Sequence, residues 1–573
     1  MLILLLALAA SACAAASPLS RYYGSKPNVI ILFADDYGWG DVGHNNPEVK
    51  ETVAIDALAA AGMTFKNMHT FPLCTPSRAQ LLTGRLGPRT GVTTNFLTTS
   101  THGLPRTEYT IAELLRPAGY DTAMLGKWRA LRASLLRVSL VARAREVSLS
   151  ARARGLRPLI FYTLCPTHAP NAPPRADLGT HPGYHPSYRG FQSVLSVPYS
   201  VDMGCMGPAD GPYYNLPQPP PCATGPNTRG PGYAGEPALP LYNTTTDCGG
   251  SGAATCNAQI VQQPVREDQL DRNYADTLGN FIAAHASADA PPFFAYMAFS
   301  HTHVPLFFDP KFANSSARNT LFADTTMEMD DTVRRIWQSV KDAGLENDTL
   351  ILGTADNGPW AVKCDLAGSP GPYIGAYQQQ LGGGSSLKDT TWEGGQRVFG
   401  LAHWPGKIAP GVSNATVSSL DFLPTILGLA GVPLPSDRTY DGVDLAPLLF
   451  EGQQSVRDFL FMGDTVTGNI TAVHYRHWKA YTVTYSQASC TQKAAKPVAH
   501  PDYLVFNLDA DPGETTPVRP GADVLAAIHA AHAALLQDIA TTHRSVANYS
   551  SGTMVQDAPC CNPQNAECRC EAQ

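Results

Sequence analysis

Past its first ten residues the chain has no long hydrophobic run: no later stretch reaches the roughly 18 apolar residues that a membrane-crossing helix requires. It also has little net charge, −7 over 573 residues, which argues against nucleic acid or an anionic membrane as the main partner. Hydrophobic side chains, by contrast, are not scarce. At 44% of the composition they exclude a disordered chain, and at this length they can fill a large core, as one big domain followed by a smaller one. The leader lacks a basic start, yet Met1 to Ala10 is almost wholly apolar and runs into Ala14-Ala15-Ala16-Ser17. It reads as a secretory signal peptide over residues 1–16, too short to be kept as an anchor.

Six Asn-X-Ser/Thr sequons, beginning at Asn243, Asn314, Asn347, Asn414, Asn469 and Asn548, suit a glycosylated protein of the secretory route. Thirteen cysteines suit the same oxidising compartment. Cys13 leaves with the leader. Cys205, Cys222, Cys248 and Cys256 cluster in a Pro/Gly-rich stretch, and Cys560, Cys561, Cys568 and Cys570 sit in a tail with too few apolar residues to hold itself. Disulfides are expected, with a zinc site in the tail as the alternative.

Residues 28–34 form a continuous apolar, β-branched run, as expected of a strand buried on both faces in a parallel sheet. It ends in Asp35-Asp36. Adjacent carboxylates at the end of a buried strand repel each other unless a cation neutralises them, and in open α/β sheets that edge is where ligands bind. A hard divalent ion is the functional reading, and an aspartate capping the next helix the structural one. A second strand over 120–125 ends in Gly126-Lys127-Trp128, where the lysine either holds an anion or snorkels to the surface. A third, over 292–299, ends in Ser300-His301-Thr302-His303, a histidine pair that could equally be structural. A fourth, over 348–355, ends in Asp356-Asn357, two more oxygen ligands for a hard cation or else an Asx-turn.

Helices are expected over 55–61, from Ser77 onward, and over 268–286 and 327–343, so the fold class is α/β: a large mixed, mostly parallel sheet flanked by helices. From about Arg457 the pattern changes to short strands, over 473–478 and 503–508, and a helix over 522–541. That predicts a smaller antiparallel-sheet subdomain over 457–573, after a main domain over 17–456. Four strand ends thus offer acids, a lysine and histidines to one rim. A cation with several basic side chains is what binding a small tetrahedral anion requires, although this alone does not separate sulfate from phosphate.

Cys74-Thr75-Pro76-Ser77-Arg78, followed by Ala79-Gln80-Leu81-Leu82-Thr83-Gly84-Arg85, resembles the signature of the sulfatase family. Lys388, separated by four residues from Glu393-Gly394-Gly395-Gln396-Arg397, resembles the second sulfatase signature. Val197-Pro198-Tyr199-Ser200-Val201-Asp202-Met203-Gly204 is similar to the arylsulfatase A-type enzymes of this alkaline-phosphatase-like superfamily. The resemblance covers nearly the whole chain. It implies that a formylglycine-generating enzyme oxidises Cys74 to formylglycine during secretion, and that Ca²⁺ is held by Asp35, Asp36, Asp356, Asn357 and residue 74. One hydroxyl of the hydrated aldehyde attacks sulfur while His303 and Lys388 assist the leaving alcohol. Arg78 and Lys127 steady the nucleophile, and Ser200, His303 and Lys388 contact the substrate. The second hydroxyl then expels sulfate. A sulfated small molecule, glycolipid or carbohydrate fits as substrate, in a lysosome or outside the cell. The oligomeric state is left open.

The family usually continues Gly-Lys-Trp-His-Leu-Gly, and here Arg129 stands in place of the histidine, the base for sulfate expulsion. Residues 129–177 carry nine arginines, no lysine and only two acids, a net of +7, so the rest of the chain carries −14. Leu178-Gly179 then resumes the motif, which marks 129–177 as an insert; a tolerated basic surface helix is the alternative. Without Cys74 and the insert's Cys165, ten mature cysteines remain, enough for five disulfides. An arginine cannot act as a base, and His181 or His185 are the candidates to replace it. If neither does, rapid mixing should show a burst of about one alcohol released per enzyme and then slow turnover. Steady turnover without a burst would refute trapping. The rival readings are a catalytically impaired secreted glycoprotein and a phosphatase of the same superfamily, which would need an intact nucleophile.

Overall fold

The computed structural model describes residues 18–96, 102–128, 185–203, 239–244, 259–262 and 265–550. The leader, the 129–177 segment with Arg129, His181, the four-cysteine stretch and the tail cysteines lie outside the described residues.

The runs read as buried strands form the middle of a mixed sheet of ten described strands. Asn28–Ala34 lies between Phe293–Ala298 and Thr349–Ala355, parallel to both, and every residue of the three is buried. Asp121–Lys127 and then Ser193–Val197 extend the parallel part beyond Phe293–Ala298. Leu241–Thr244 and Gln259–Gln262 finish that edge antiparallel. On the other side Gly400–His403 runs antiparallel to Thr349–Ala355, followed by Met63–Phe65 and Gly411–Ser413.

The register decides where the functional residues emerge. Phe33 stands opposite Ala298 and Thr354, and Gly126 opposite Ala298, so four chains leave the sheet at one level. Gly126 has a φ of +100°, and a Cβ there would meet the Ala298 carbonyl oxygen at 1.7 Å, so only glycine lets Lys127 leave its strand this close to its neighbour.

Helices Val53–Ala60, Leu270–Ala283 and Leu321–Asp342 pack as one group, and Cys74–Thr83, Ile111–Leu115 and Phe422–Ala430 as another. Leu321–Asp342 begins six residues before the expected start. Thr320 caps it, and Thr325 and Thr326 turn their hydroxyls back onto the carbonyls of Leu321 and Phe322, so the threonines do not interrupt it.

The C-terminal part is a four-stranded antiparallel sheet, Phe459–Gly463, Ile470–Tyr475, Trp478–Thr484 and Val498–Asn507, with helix Ala522–Thr541 against it. The expected single strand over 473–478 is instead two strands joined at Arg476-His477. The helix is apolar and long enough to cross a membrane by length and composition alone, yet it buries Ile528, His532 and Ile539 and packs on Ile470–Tyr475. A third, small sheet pairs Met68–His69 with Arg397–Val398 and Val417–Ser418, tying the segment before Cys74 to the one after Lys388.

Candidate active site

The helix that follows Leu73 starts at Cys74 itself, earlier than the expected Ser77, and its ten residues are all buried. Pro76 falls in the first turn, where its missing N–H goes unused, and Ser77 N–H already donates to the Leu73 carbonyl at 2.9 Å. Cys74 is a free thiol at a helix N-terminus, where partial positive charge favours an anion. Its Sγ lies 3.7 Å from Asp35 Oδ1 and 3.9 Å from Asp36 Oδ1. Burial, and then the charge of Asp356, pushes the thiol well above its ordinary pKa.

Asp35, Asp36, Asp356 and Asn357 are brought together and fully withdrawn from solvent, each at 4% exposure or less. The Asp36 N–H donates to Asp356 Oδ1 at 3.1 Å, and Asn357 Nδ2 donates to Asp36 Oδ1 at 2.8 Å. The basic residues sit on these carboxylates: Lys127 on Asp35, Lys388 on Asp36, and Arg78 on Asp356 at 2.8 Å and Asp35 at 3.5 Å. Arg78 also donates to the Lys127 carbonyl at 3.2 Å. Burial and then Asp356 push the Asp35 carboxyl up to about 8. Burial also acts to raise Asp356, but Arg78 and Lys127 outweigh it and hold that carboxyl below its usual range.

The structure separates the two histidines. The His301 ring is held by Glu328 at 2.9 Å and Asp271 at 3.7 Å, while its backbone carbonyl accepts from Asp35 N–H at 2.8 Å. His301 is therefore a brace for the carboxylates. His303 faces them: its Nε2 is 3.6 Å from Asp36 Oδ2 and its Nδ1 3.1 Å from Ser200 Oγ. The Val304 carbonyl, 2.6 Å from Nδ1, can only accept, so the proton sits on Nδ1 and Nε2 carries the lone pair of the neutral ring. Burial, then Lys127 and Lys388, keep the imidazole well below its ordinary pKa. Cys74, Arg78, Lys127, Ser200, His303 and Lys388 thus share one pocket with the four oxygen-bearing residues. His185 is elsewhere: its ring packs edge-on to Tyr242, its Nδ1 bonds Ser187 Oγ at 2.8 Å, and burial lowers it to about 3.

The sulfatase family model matches residues 27–134 and 214–432, and a model for the C-terminal region of aryl-sulfatase matches 455–570. Human arylsulfatase G is 38% identical over 566 residues, covering 96% of this chain and 94% of that protein. Human arylsulfatase A is 33% identical over 504 residues, covering 85% and 82%. The chain belongs to the sulfatase family. It is an arylsulfatase-type hydrolase, and its fold superposes on the PsFucS1 sulfatase from Pseudoalteromonas sp. with a TM-score of 0.67 at 25% identity, covering 91% of this chain and 93% of that one.

Three residues of this sulfatase's pocket escaped sequence reasoning. The Trp360 ring lies 5.3 Å from the His303 ring, with Lys388 Nζ 4.5 Å and Lys363 Nζ 4.3 Å from its centroid. Asp202, within the arylsulfatase A-like stretch, comes to 4.0 Å from His303 Nδ1. A Cys364–Cys490 disulfide staples the Trp360 loop to the C-terminal subdomain. Only the Gly358-Pro359 pair before Trp360 marks this loop in the sequence, and it signals a turn rather than a site.

Proposed function

We propose that this arylsulfatase-type enzyme cleaves a sulfate monoester through formylglycine at position 74 and a calcium ion held by Asp35, Asp36, Asp356 and Asn357. The observation that carries the reading is the approach of Cys74 Sγ to Asp35 and Asp36 inside a pocket that also holds Lys127, His303 and Lys388. The donor set fits a hard cation. Three carboxylates are buried side by side, and Asn357 Oδ1 is buried with no hydrogen-bond partner. A bound calcium ion would supply Lewis acidity at the substrate's sulfate oxygens, and hydrated formylglycine an oxygen nucleophile.

The chain's own residues do the rest. With the carboxylates' charge balanced by a dication, Lys127 and Lys388 are free to bind an anion, and Arg78 stays on Asp356 and keeps the residue-74 turn in place. Ser200 fixes the His303 ring. His303 and Lys388 stand together at the Trp360 face to assist the leaving alcohol: the Lys388 ammonium is the proton donor, and the neutral His303 ring offers Nε2 as an acceptor beside it. We assign the route to the leader and sequons: secretion, with a lysosomal or extracellular destination. Residues 129–177 are taken as an insert, a reading supported by the break in the family match over residues 135–213 of this chain, which takes in all but the first six residues of that segment. Arg129 favours an impaired enzyme as the second reading.

Mass spectrometry of the peptide containing residue 74, with a panel of sulfate esters assayed with and without calcium, tests the proposal. Formylglycine and calcium-dependent cleavage support it; an unmodified Cys74 in the mature protein refutes it. Dialysis against a calcium chelator should lower the melting temperature as well as activity, since an ion at a hundred times its Kd contributes about 2.7 kcal/mol. A melting curve indifferent to calcium would remove the ion from the site.

A further inference from the structure

Glu393, five residues after Lys388, is fully buried and makes an unusual number of polar contacts. Its carboxylate accepts from Arg397 Nε at 2.5 Å, Lys479 Nζ at 2.6 Å and His474 Nε2 at 2.8 Å, and lies 3.2 Å from His69 Nε2. Its N–H donates to Glu514 Oε2 at 2.9 Å, and Glu514 in turn accepts from Tyr481. Two histidines and a carboxylate invite a metal reading, but Arg397 and Lys479 already balance Glu393, and a dication would be repelled by both. Among the described residues the side chains of the cluster are all buried, each at 6% exposure or less.

What distinguishes Glu393 is the set of segments that cross at it. His69, five residues before Cys74, pairs with Arg397 in the small sheet, and Thr70 N–H donates to the Gln396 carbonyl at 2.9 Å. Gly358, next to Asn357, donates its N–H to the Gly395 carbonyl at 3.1 Å; a Cβ on Gly358 would meet the Gly394 oxygen at 1.9 Å. Lys388 N–H donates to the Pro359 carbonyl at 3.1 Å and Asp389 N–H to the Pro72 carbonyl at 2.7 Å. The loops that carry Cys74, Asn357 and Lys388 are therefore bonded to one another around Glu393. His474 and Lys479 enter this crossing from the C-terminal sheet, and Thr465 of the same subdomain donates to the Asp389 carbonyl at 3.1 Å.

We infer that His474 and Lys479 of the C-terminal subdomain are positioning residues for the active site, acting through Glu393 on the loop that carries Lys388. They touch neither substrate nor reacting atoms. Removing the Lys479 ammonium leaves two buried glutamates to share Arg397, and Glu393 must then turn or take up a proton, which shifts the 388–397 loop. The inference rests on sulfate-ester hydrolysis as the function. The test is full-length Lys479→Met with inorganic sulfate binding measured by calorimetry and single-turnover cleavage of p-nitrophenyl sulfate, at a temperature where circular dichroism shows a folded protein. Sulfate affinity and cleavage rate should each fall about tenfold, and Lys479→Arg should recover both to within about threefold. If Lys479→Met does not accumulate folded, His474→Leu, which leaves Glu393 with both cations, should weaken sulfate about threefold. Folded variants that bind and cleave like the wild type, or that lose only melting temperature, overturn the inference. A wild type that neither binds sulfate nor cleaves the ester overturns the functional reading instead.

Discussion

Replacing Cys74 by alanine is expected to abolish sulfate-ester hydrolysis, by at least about 10⁴-fold in kcat/KM, while the protein folds as before. The side chain is buried, but its near neighbours are the carboxylates of Asp35 and Asp36, which the thiol only weakly satisfies. Alanine removes only the polar end of that one short side chain, thiol or aldehyde, from the packing, a loss of about 1 kcal/mol. The start of the helix does not depend on the side chain, because Leu73 and Ser77 close its first turn through the backbone. Activity should therefore vanish with little change in melting temperature. The check is hydrolysis of an aryl sulfate beside circular dichroism of the same preparation. Retention of more than about 1% of wild-type activity would mean that residue 74 is not the nucleophile.

The rim of the sheet was legible because its strands are of one kind. Asn28–Ala34, Phe293–Ala298 and Thr349–Ala355 are buried on both faces, so apart from Asn28, Thr349 and Thr354 their sequences are apolar, and the first charged residues beyond them mark where the sheet stops. The antiparallel C-terminal sheet offers no such contrast. Tyr475-Arg476-His477-Trp478 contains no glycine, proline or asparagine, and the turn there is made by Arg476 at a φ of +56°. A two-residue hairpin turn built on such residues carries no composition signal, so two strands read as one. The start of the helix at Cys74 is hidden for a related reason: proline suggests a boundary, whereas here Pro76 occupies the first turn.

Partners far apart in the chain were the second gap. Residue type and spacing alone offer His301 and His303 as equals, with only the family resemblance favouring the second, and what separates them physically is that Glu328 and Asp271, from two different helices, close on the first. Likewise Glu393 belongs visibly to a signature, but nothing local shows that Lys479, 86 positions on, balances its charge. Motif spacing reports residues that act within one loop. Charge balance in a buried site is settled between loops, and it becomes visible only once the fold brings them together.

Lys388→Met should have opposite effects on the two ligands of the pocket. Lys388 is buried against Asp36 and the Trp360 face. Burial alone would discharge it, but Asp36, with Cys74 and the other carboxylates, outweighs that and keeps it an ammonium. Methionine matches its length without the charge, so an incoming sulfate loses a fixed cation, and kcat/KM should drop by about 10³. Asp36, however, loses the cation that competes for its Oδ1, leaving the Asn357 amide as that oxygen's hydrogen-bond donor. Calcium should then bind more tightly, by about tenfold, as a variant that melts higher than the wild type at the same limiting calcium concentration. A merely misfolded loop would weaken both ligands together. Weaker calcium binding in Lys388→Met, or an unchanged kcat/KM, would show that the ammonium does not stand between the carboxylates and the substrate.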